Sequence, residues 1–132
     1  MTKQTTTNEF KQLMNRVAEA WNEGNARNAA DCYTKEAVYT EPPDKQVYIG
    51  QQALYEFFGG DEPPEPPMQM TWHHLSFDED SQVGFGEYSF QMNNLYHGIV
   101  IVKIAEGQIS HWREYQYKSD QAWRDFAGKS VF

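Results

Sequence analysis

VGFGEYSFQMNNLYHGIVIVKIAEGQISHWREYQYK, residues 83–118, reads as three strands in succession. Runs rich in β-branched and aromatic residues, 83–92, 95–104 and 109–118, are separated by Asn93-Asn94 and Glu106-Gly107, pairs suited to tight hairpin turns. A fourth run, 70–77, precedes them, with Asp78 to Ser81 as the turn between. Strands joined this closely pair as an antiparallel meander.

Upstream the apolar period changes from 2 to 3.6. Phe10, Leu13, Met14, Val17 and Trp21 fall on one helical stripe, Thr6 and Glu9 have capping-box spacing, and Gly24 ends the element. Ala26, Ala29, Ala30 and Tyr33 suggest a second, shorter helix, and 37–40 a short strand stopped by Glu41-Pro42-Pro43. Gly50 opens a third helix with Leu54, Phe57 and Phe58 on one face, halted at Gly59-Gly60. The acidic, proline-rich stretch 61–67 is a stiff connector to the strands. Ser119-Asp120 is placed to cap a last turn carrying Trp123 and Phe126. We therefore expect one domain over 1–132, loose at 1–6 and with a tail at 119–132. Helices followed by a meander imply an α+β fold, with the helices on one face of the sheet.

Composition narrows the function classes. A net charge of −8 argues against nucleic acid and against an anionic membrane surface. Cys32 is the single cysteine and cannot form an internal disulfide, which suits a reducing cytoplasm. Residues 1–8 lack the apolar core of a secretory signal, and no run approaches the ~20 apolar residues of a spanning helix. The expectation is a soluble cytoplasmic domain. Aromatic residues make up 15% of the chain, enough to line a pocket as well as fill a core.

The segments NEGNARNAADCYTKEAVYTEPP, IGQQALYEFF and EGQISHWREYQY occur in the order, and with the character, of a known family. Over residues 9–118 the chain resembles the SnoaL-like branch of the nuclear transport factor 2-like superfamily, whose fold is also called cystatin-like. The resemblance implies a cone: a curved antiparallel sheet wrapped around three N-terminal helices, with an apolar pocket inside. It also implies a homodimer, for which the apolar row Val100, Val102 and Ile104 is the expected contact. Members include ketosteroid isomerases, polyketide cyclases and epoxide hydrolases, so a small apolar or aromatic molecule is the expected partner, with no cofactor.

Turn lengths decide which side chains share a face. With two-residue turns, Glu114 lies opposite Ile99, Trp112 opposite Ile101, Tyr88 opposite Ile99, Phe90 opposite His97 and His73 opposite Gly86. The pocket face then carries His73, Tyr88, Phe90, His97, Ile99, Ile101, Trp112 and Glu114, while His74, Glu87, Arg113 and Tyr115 face away. A carboxylate among Trp112, Ile99 and Tyr88 loses solvation, which raises its pKa towards that of a general acid or base. The plain alternative is a surface Glu114 paired with a lysine or arginine.

Family resemblance implies the same site, because HWREYQY sets Glu114 where the epoxide hydrolases carry a catalytic carboxylate. Their other Asp and their Arg fall near Glu87 and Gln91, so that array is incomplete. AVYTEPP sets Glu41 on the proton-shuttling Asp of ketosteroid isomerases. Their oxyanion donors fall at Val17 and near Ile99 or Val100, which argues against steroid isomerisation. The candidate catalytic residues are Glu114, with His97 or His73 as partner, and Glu41; Trp112, Tyr88, Phe90, Ile99 and Ile101 are the candidate ligand contacts. No histidine pair has chelating spacing, so no metal is expected. The rival expectation is a non-catalytic binding or dimerisation module on the same fold.

Overall fold

The structure, a computed structural model, describes residues 4–42 and 44–132. Helix α1 (Thr7–Asn22) starts at the expected capping box: Glu9 N donates to Thr6 Oγ1 at 3.1 Å and Thr6 N to Glu9 Oε1 at 3.0 Å. Its stripe of Phe10, Leu13, Met14, Val17 and Trp21 is buried. Thr5, inside the stretch expected to be loose, is tied to Gln82 by two hydrogen bonds, at 2.9 and 3.0 Å. Residues 1–3 of that stretch, and Pro43 of the expected strand stop, lie outside the described residues.

Helix α2 (Ala26–Ala30) ends before Tyr33, which belongs to strand β1 (Tyr33–Thr40). A strand not expected from the sequence, β2 (Val47–Ile49), pairs antiparallel with β1 at the sheet edge. Helix α3 (Gln51–Phe57) follows and buries Leu54. Four long strands come next: β3 (Gln69–Asp78), β4 (Val83–Gln91), β5 (Leu95–Ala105) and β6 (Gln108–Lys118). The six strands run in the order β2-β1-β6-β5-β4-β3. Strand β1 lies parallel to β6, so the sheet is mixed rather than wholly antiparallel. The chain crosses through α3 and the connector to the far edge, and the meander then brings β6 back beside β1.

The sheet curves around the helices, and its inner face is buried against them. Trp72 Nε1 donates to Met14 O at 2.8 Å, and a Cβ at Gly84 would lie 2.3 Å from the Phe10 ring, so that close approach needs glycine. Helix α4 (Trp123–Ala127) lies on the outer face and buries none of its own residues. Its N-cap is Ala122; Ser119 accepts from Gln121 N instead of capping the helix. Among the described residues no helix is long and apolar enough to cross a membrane.

The register departs from that of unbroken two-residue hairpins in each of the three pairs of the meander. Gln91 pairs with Leu95, so the turn between β4 and β5 has three residues, and His97 meets Ser89 rather than Phe90. Between β5 and β6 the register shifts after Ile104, so Glu114 meets Val100 rather than Ile99. Asp78 pairs with Val83, so the turn between β3 and β4 has four residues and Gly86 meets Leu75 rather than His73; a further irregularity, between Trp72 and His74, sits at His73. The first two slips cancel across the pair, so β4 and β6 keep the expected faces while β5 turns over. Val100, Val102 and Ile104 consequently point into the core, at 0%, 0% and 3% exposure, and do not form an outer contact row. Ile99 and Ile101 lie on the outer face instead, where Ile99 pairs with Tyr115 and Ile101 with Arg113.

Candidate functional site

Parallel pairing sets Tyr39 of β1 beside Trp112 of β6, with rings stacked 5.5 Å apart at an angle of 4°. Two residues beyond each of them stands a carboxyl group, Glu41 and Glu114, and strand alternation points both towards the helices. Glu114 is 4% exposed. Its Oε1 accepts from Tyr39 Oη at 2.8 Å and from Trp112 Nε1 at 2.6 Å, and its Oε2 lies 2.9 Å from Tyr88 Oη, whose one proton it shares with Gln116 Oε1 at 2.8 Å. Gly98 makes room for this, since a Cβ there would lie 2.9 Å from the Tyr88 hydroxyl. Glu41 completes the cluster, hydrogen-bonded to Glu114 and 3.4 Å from Tyr39 Oη.

Burial raises the pKa of both carboxyls, in opposite balance with their hydrogen bonds. For Glu114, burial pushes upward while donation from Trp112, Tyr39 and Tyr88 favours the ion. For Glu41, burial and then the neighbouring Glu114 push the value up to about 8. Tyr39 and Tyr88 are also raised, chiefly by burial, so both remain neutral donors. Two adjacent buried carboxyls resist ionising together, which favours a proton shared between them. Three neutral donors point at Glu114, so the charge rests there and the proton rests on Glu41.

Beside the pair lies a cavity of about 360 Å³. Its walls are aromatic and thioether: Trp21, Tyr39, Phe57, Phe58, Tyr88, Phe90 and Trp112, with Met68, Met70 and Met92. The ends of α1 and α3, the start of α2 and the proline connector form its rim. Glu41 and Glu114 are its inner polar groups; Glu62 and Asn25 stand exposed at the rim.

The expected site residues divide by strand. Glu114, Glu41, Trp112, Tyr88 and Phe90 line the cavity, whereas His97, His73, Ile99 and Ile101 do not. His97, 2% exposed, is buried on the outer face beneath α4. Its Nε2 donates to Gln121 O at 2.8 Å, and its Nδ1 lies 2.6 Å from Ser89 Oγ. His73 is carried outward by the irregularity in β3: its Nε2 lies 2.7 Å from the same Ser89 Oγ, and its ring stacks on Trp123 at 4.0 Å. His74 also points outward, 3.9 Å from Glu87 and stacked on Phe132, so the two adjacent histidines do not face opposite sides. The expected pairing of a histidine with Glu114 is therefore corrected: its polar partners are Tyr39, Tyr88, Trp112 and Glu41. Tyr39 was missed, although Tyr39-x-Glu41 and Trp112-x-Glu114 repeat one aromatic-x-carboxylate spacing. Among the described residues no His, Cys, Asp and Glu side chains group as metal ligands.

Solved structures share this architecture at low identity. A protein of unknown function with a cystatin-like fold from Methylobium petroleophilum superposes with a TM-score of 0.74 at 16% identity, over 92% of this chain and 83% of that one. SalBIII, an epoxide hydrolase/cyclase-like enzyme in pyran ring formation in salinomycin, has a TM-score of 0.69 at 18% identity, over 83% and 92% of the two chains. An M. tuberculosis LEH-like epoxide hydrolase has a TM-score of 0.69 at 13% identity, over 84% of each chain. At these identities the likeness is one of fold. No curated protein matches the chain in sequence. Residues 14–112 match the SnoaL-like domain model, and the chain belongs to the SnoaL-like family.

Proposed function

We propose that the protein is an acid–base enzyme acting on a small, apolar, ring-containing molecule, with Glu41 as proton donor and Glu114 as the anionic group that positions it. The carboxyl pair at the wall of an aromatic cavity carries this reading. Glu114 accepts from Tyr39, Trp112, Tyr88 and Glu41, and its lone pairs are filled by the protein. Glu41 is the group with a proton to give. A pKa of about 8 leaves it mostly protonated at pH 7, in the range where general acids work best.

The test is turnover on neutral ring compounds, namely lactones, epoxides and cyclic alcohols. The shortlist comes from those that raise the melting temperature, because ligand at a hundredfold excess over its Kd adds about 2.7 kcal/mol. An acid at Glu41 makes kcat/KM fall as pH rises through about 8. Glu41→Gln should lose about 10²-fold or more in rate while keeping the ligand-induced thermal shift. Binding without turnover in wild type would make the protein a ligand-binding module.

We also propose a homodimer, resting on the outer face rather than on the Val100 row. Phe85, Ile99, Tyr115 and Tyr117 are 43%, 43%, 47% and 65% exposed there. Sedimentation of wild type against Ile99→Lys checks it; an unchanged mass would defeat this interface.

A further inference from the structure

The charge and the hydrogen-bond donors around the cavity bear on which substrate it takes, an inference that rests on the acid–base function proposed above. Among the described residues that line the cavity, the ionisable acids are Glu41, Glu62 and Glu114, and no Lys, Arg or His is present. Tyr39, Tyr88 and Trp112 are already engaged with Glu114. Trp21 Nε1 is without a partner, but it has no accessible surface from which to reach an occupant.

Reactions that build negative charge on a substrate oxygen need donors aimed at that oxygen. Here the O–H at the inner wall is that of Glu41, shared with Glu114 until a substrate oxygen takes its proton, and an anion formed beside it would face the Glu114 carboxylate. Positive charge meets the reverse. The wall is aromatic, with Trp112, Tyr39 and Tyr88 among its rings, and a π-system attracts a cation most strongly where water is excluded. Once Glu41 has given up its proton, two carboxylates stand beside the new charge.

We infer that the cavity selects for positive charge on its occupant: the substrate is a neutral ring compound whose reacting carbon becomes cationic, and a ring-bearing ammonium ion imitates that state. In the step implied, Glu41 Oε–H gives its proton to a substrate oxygen. The C–O bond breaks, its electron pair stays on that oxygen, and the carbon is left positive. Loss of a neighbouring C–H proton to Glu41, or attack by a hydroxyl of the same molecule with its proton returned to Glu41, closes the cycle. Both routes balance without a further reactant. Carboxylate and phosphate substrates are rejected by the same arrangement.

The test uses three probes of one shape on the whole protein: cyclohexylmethylamine, cyclohexylmethanol and cyclohexanecarboxylate, by calorimetry at pH 7. The amine should bind about tenfold tighter than the alcohol, and the carboxylate about tenfold weaker or not at all. Because Glu41 is mostly protonated at that pH, amine binding should also release about one proton, seen by comparing two buffers of different ionisation enthalpy. In Glu41→Gln the release should vanish and the amine advantage shrink. Equal binding of amine and alcohol, or binding of the carboxylate, overturns the charge preference and leaves the proposed acid–base function standing. Failure of all three probes to bind overturns both.

Discussion

Opposite faces of one sheet carry two buried polar clusters built from ordinary catalytic residue types. On the inner face Glu114 gathers Tyr39, Tyr88, Trp112 and Glu41 at a cavity wall. On the outer face His73, Ser89 and His97 form a chain beneath α4. The outer chain is closed. Because a carbonyl oxygen accepts from His97 Nε2, its Nδ1 accepts from the Ser89 hydroxyl, whose oxygen in turn accepts from His73 Nε2. Both His97 nitrogens and the Ser89 hydroxyl are spoken for, His73 is stacked on Trp123 and His97 packs at a tilt on Phe126, and the assembly fastens the C-terminal segment. The inner cluster keeps a proton held between two carboxyls beside open space. A complete network is structural; an incomplete one at a cavity wall is a candidate for chemistry.

The sharpest way to test that contrast is to remove each centre. Glu114→Ala takes the acceptor from Trp112 Nε1 and leaves Tyr88 with Gln116 and Tyr39 with Glu41, and opens a cavity in the cluster, so it should cost about 2–4 kcal/mol in urea unfolding. Glu114→Gln, which keeps an acceptor, should cost less. His97→Ala should cost about 1–3 kcal/mol. Its signature is faster amide exchange over 119–132, with unchanged affinity for the cavity probes. A loss of probe binding in that variant would break the separation of the two faces.

The smallest expected effect is a difference in pH dependence between the faces. Glu41 holds its proton up to about 8 in the folded chain, against an ordinary value of 4.5. The native state then binds more protons than the unfolded one between those values, so stability falls as pH rises from about 4.5 to about 8 and levels off above it. His73 is shifted the other way, lowered from 6.5 by burial and by His97 and His74. Its share of stability is present above 6.5 and is lost as pH falls below it. Melting temperatures across pH should therefore decline on the alkaline side in wild type and lose that decline in Glu41→Gln. The acid-side loss should persist in Glu41→Gln and diminish in His73→Phe. A decline unchanged in Glu41→Gln would show that Glu41 is not the group holding the proton.

Local rules settled much of this protein before any tertiary contact formed. The capping box at Thr6 and Glu9, the buried stripe of α1, the glycine at 50 and the four long strands each rest on neighbours within a few residues. Strand alternation also paired Trp112 with Glu114, and Tyr88 with Phe90, on common faces. What the sequence could not settle were quantities of a single residue. Asn93-Asn94 suits a two-residue turn, yet the turn takes Met92 as well; Ser110 suits an unbroken strand, yet the register shifts beside it. Each shift reverses a whole strand, because side chains alternate with a period of two. That is why His97, Ile99 and Ile101 were expected in the pocket and lie outside it.

The site itself belongs to the tertiary structure. Glu41 and Glu114 stand 73 positions apart in the sequence and meet only because β1 enters the sheet parallel to β6. Sequence alone determined that this chain would fold as helices against a curved sheet and would own buried carboxyl candidates. Their joining, their shared proton and their distance from every histidine were decided by strand register, a sum of contacts across the whole sheet that no single stretch of the chain encodes.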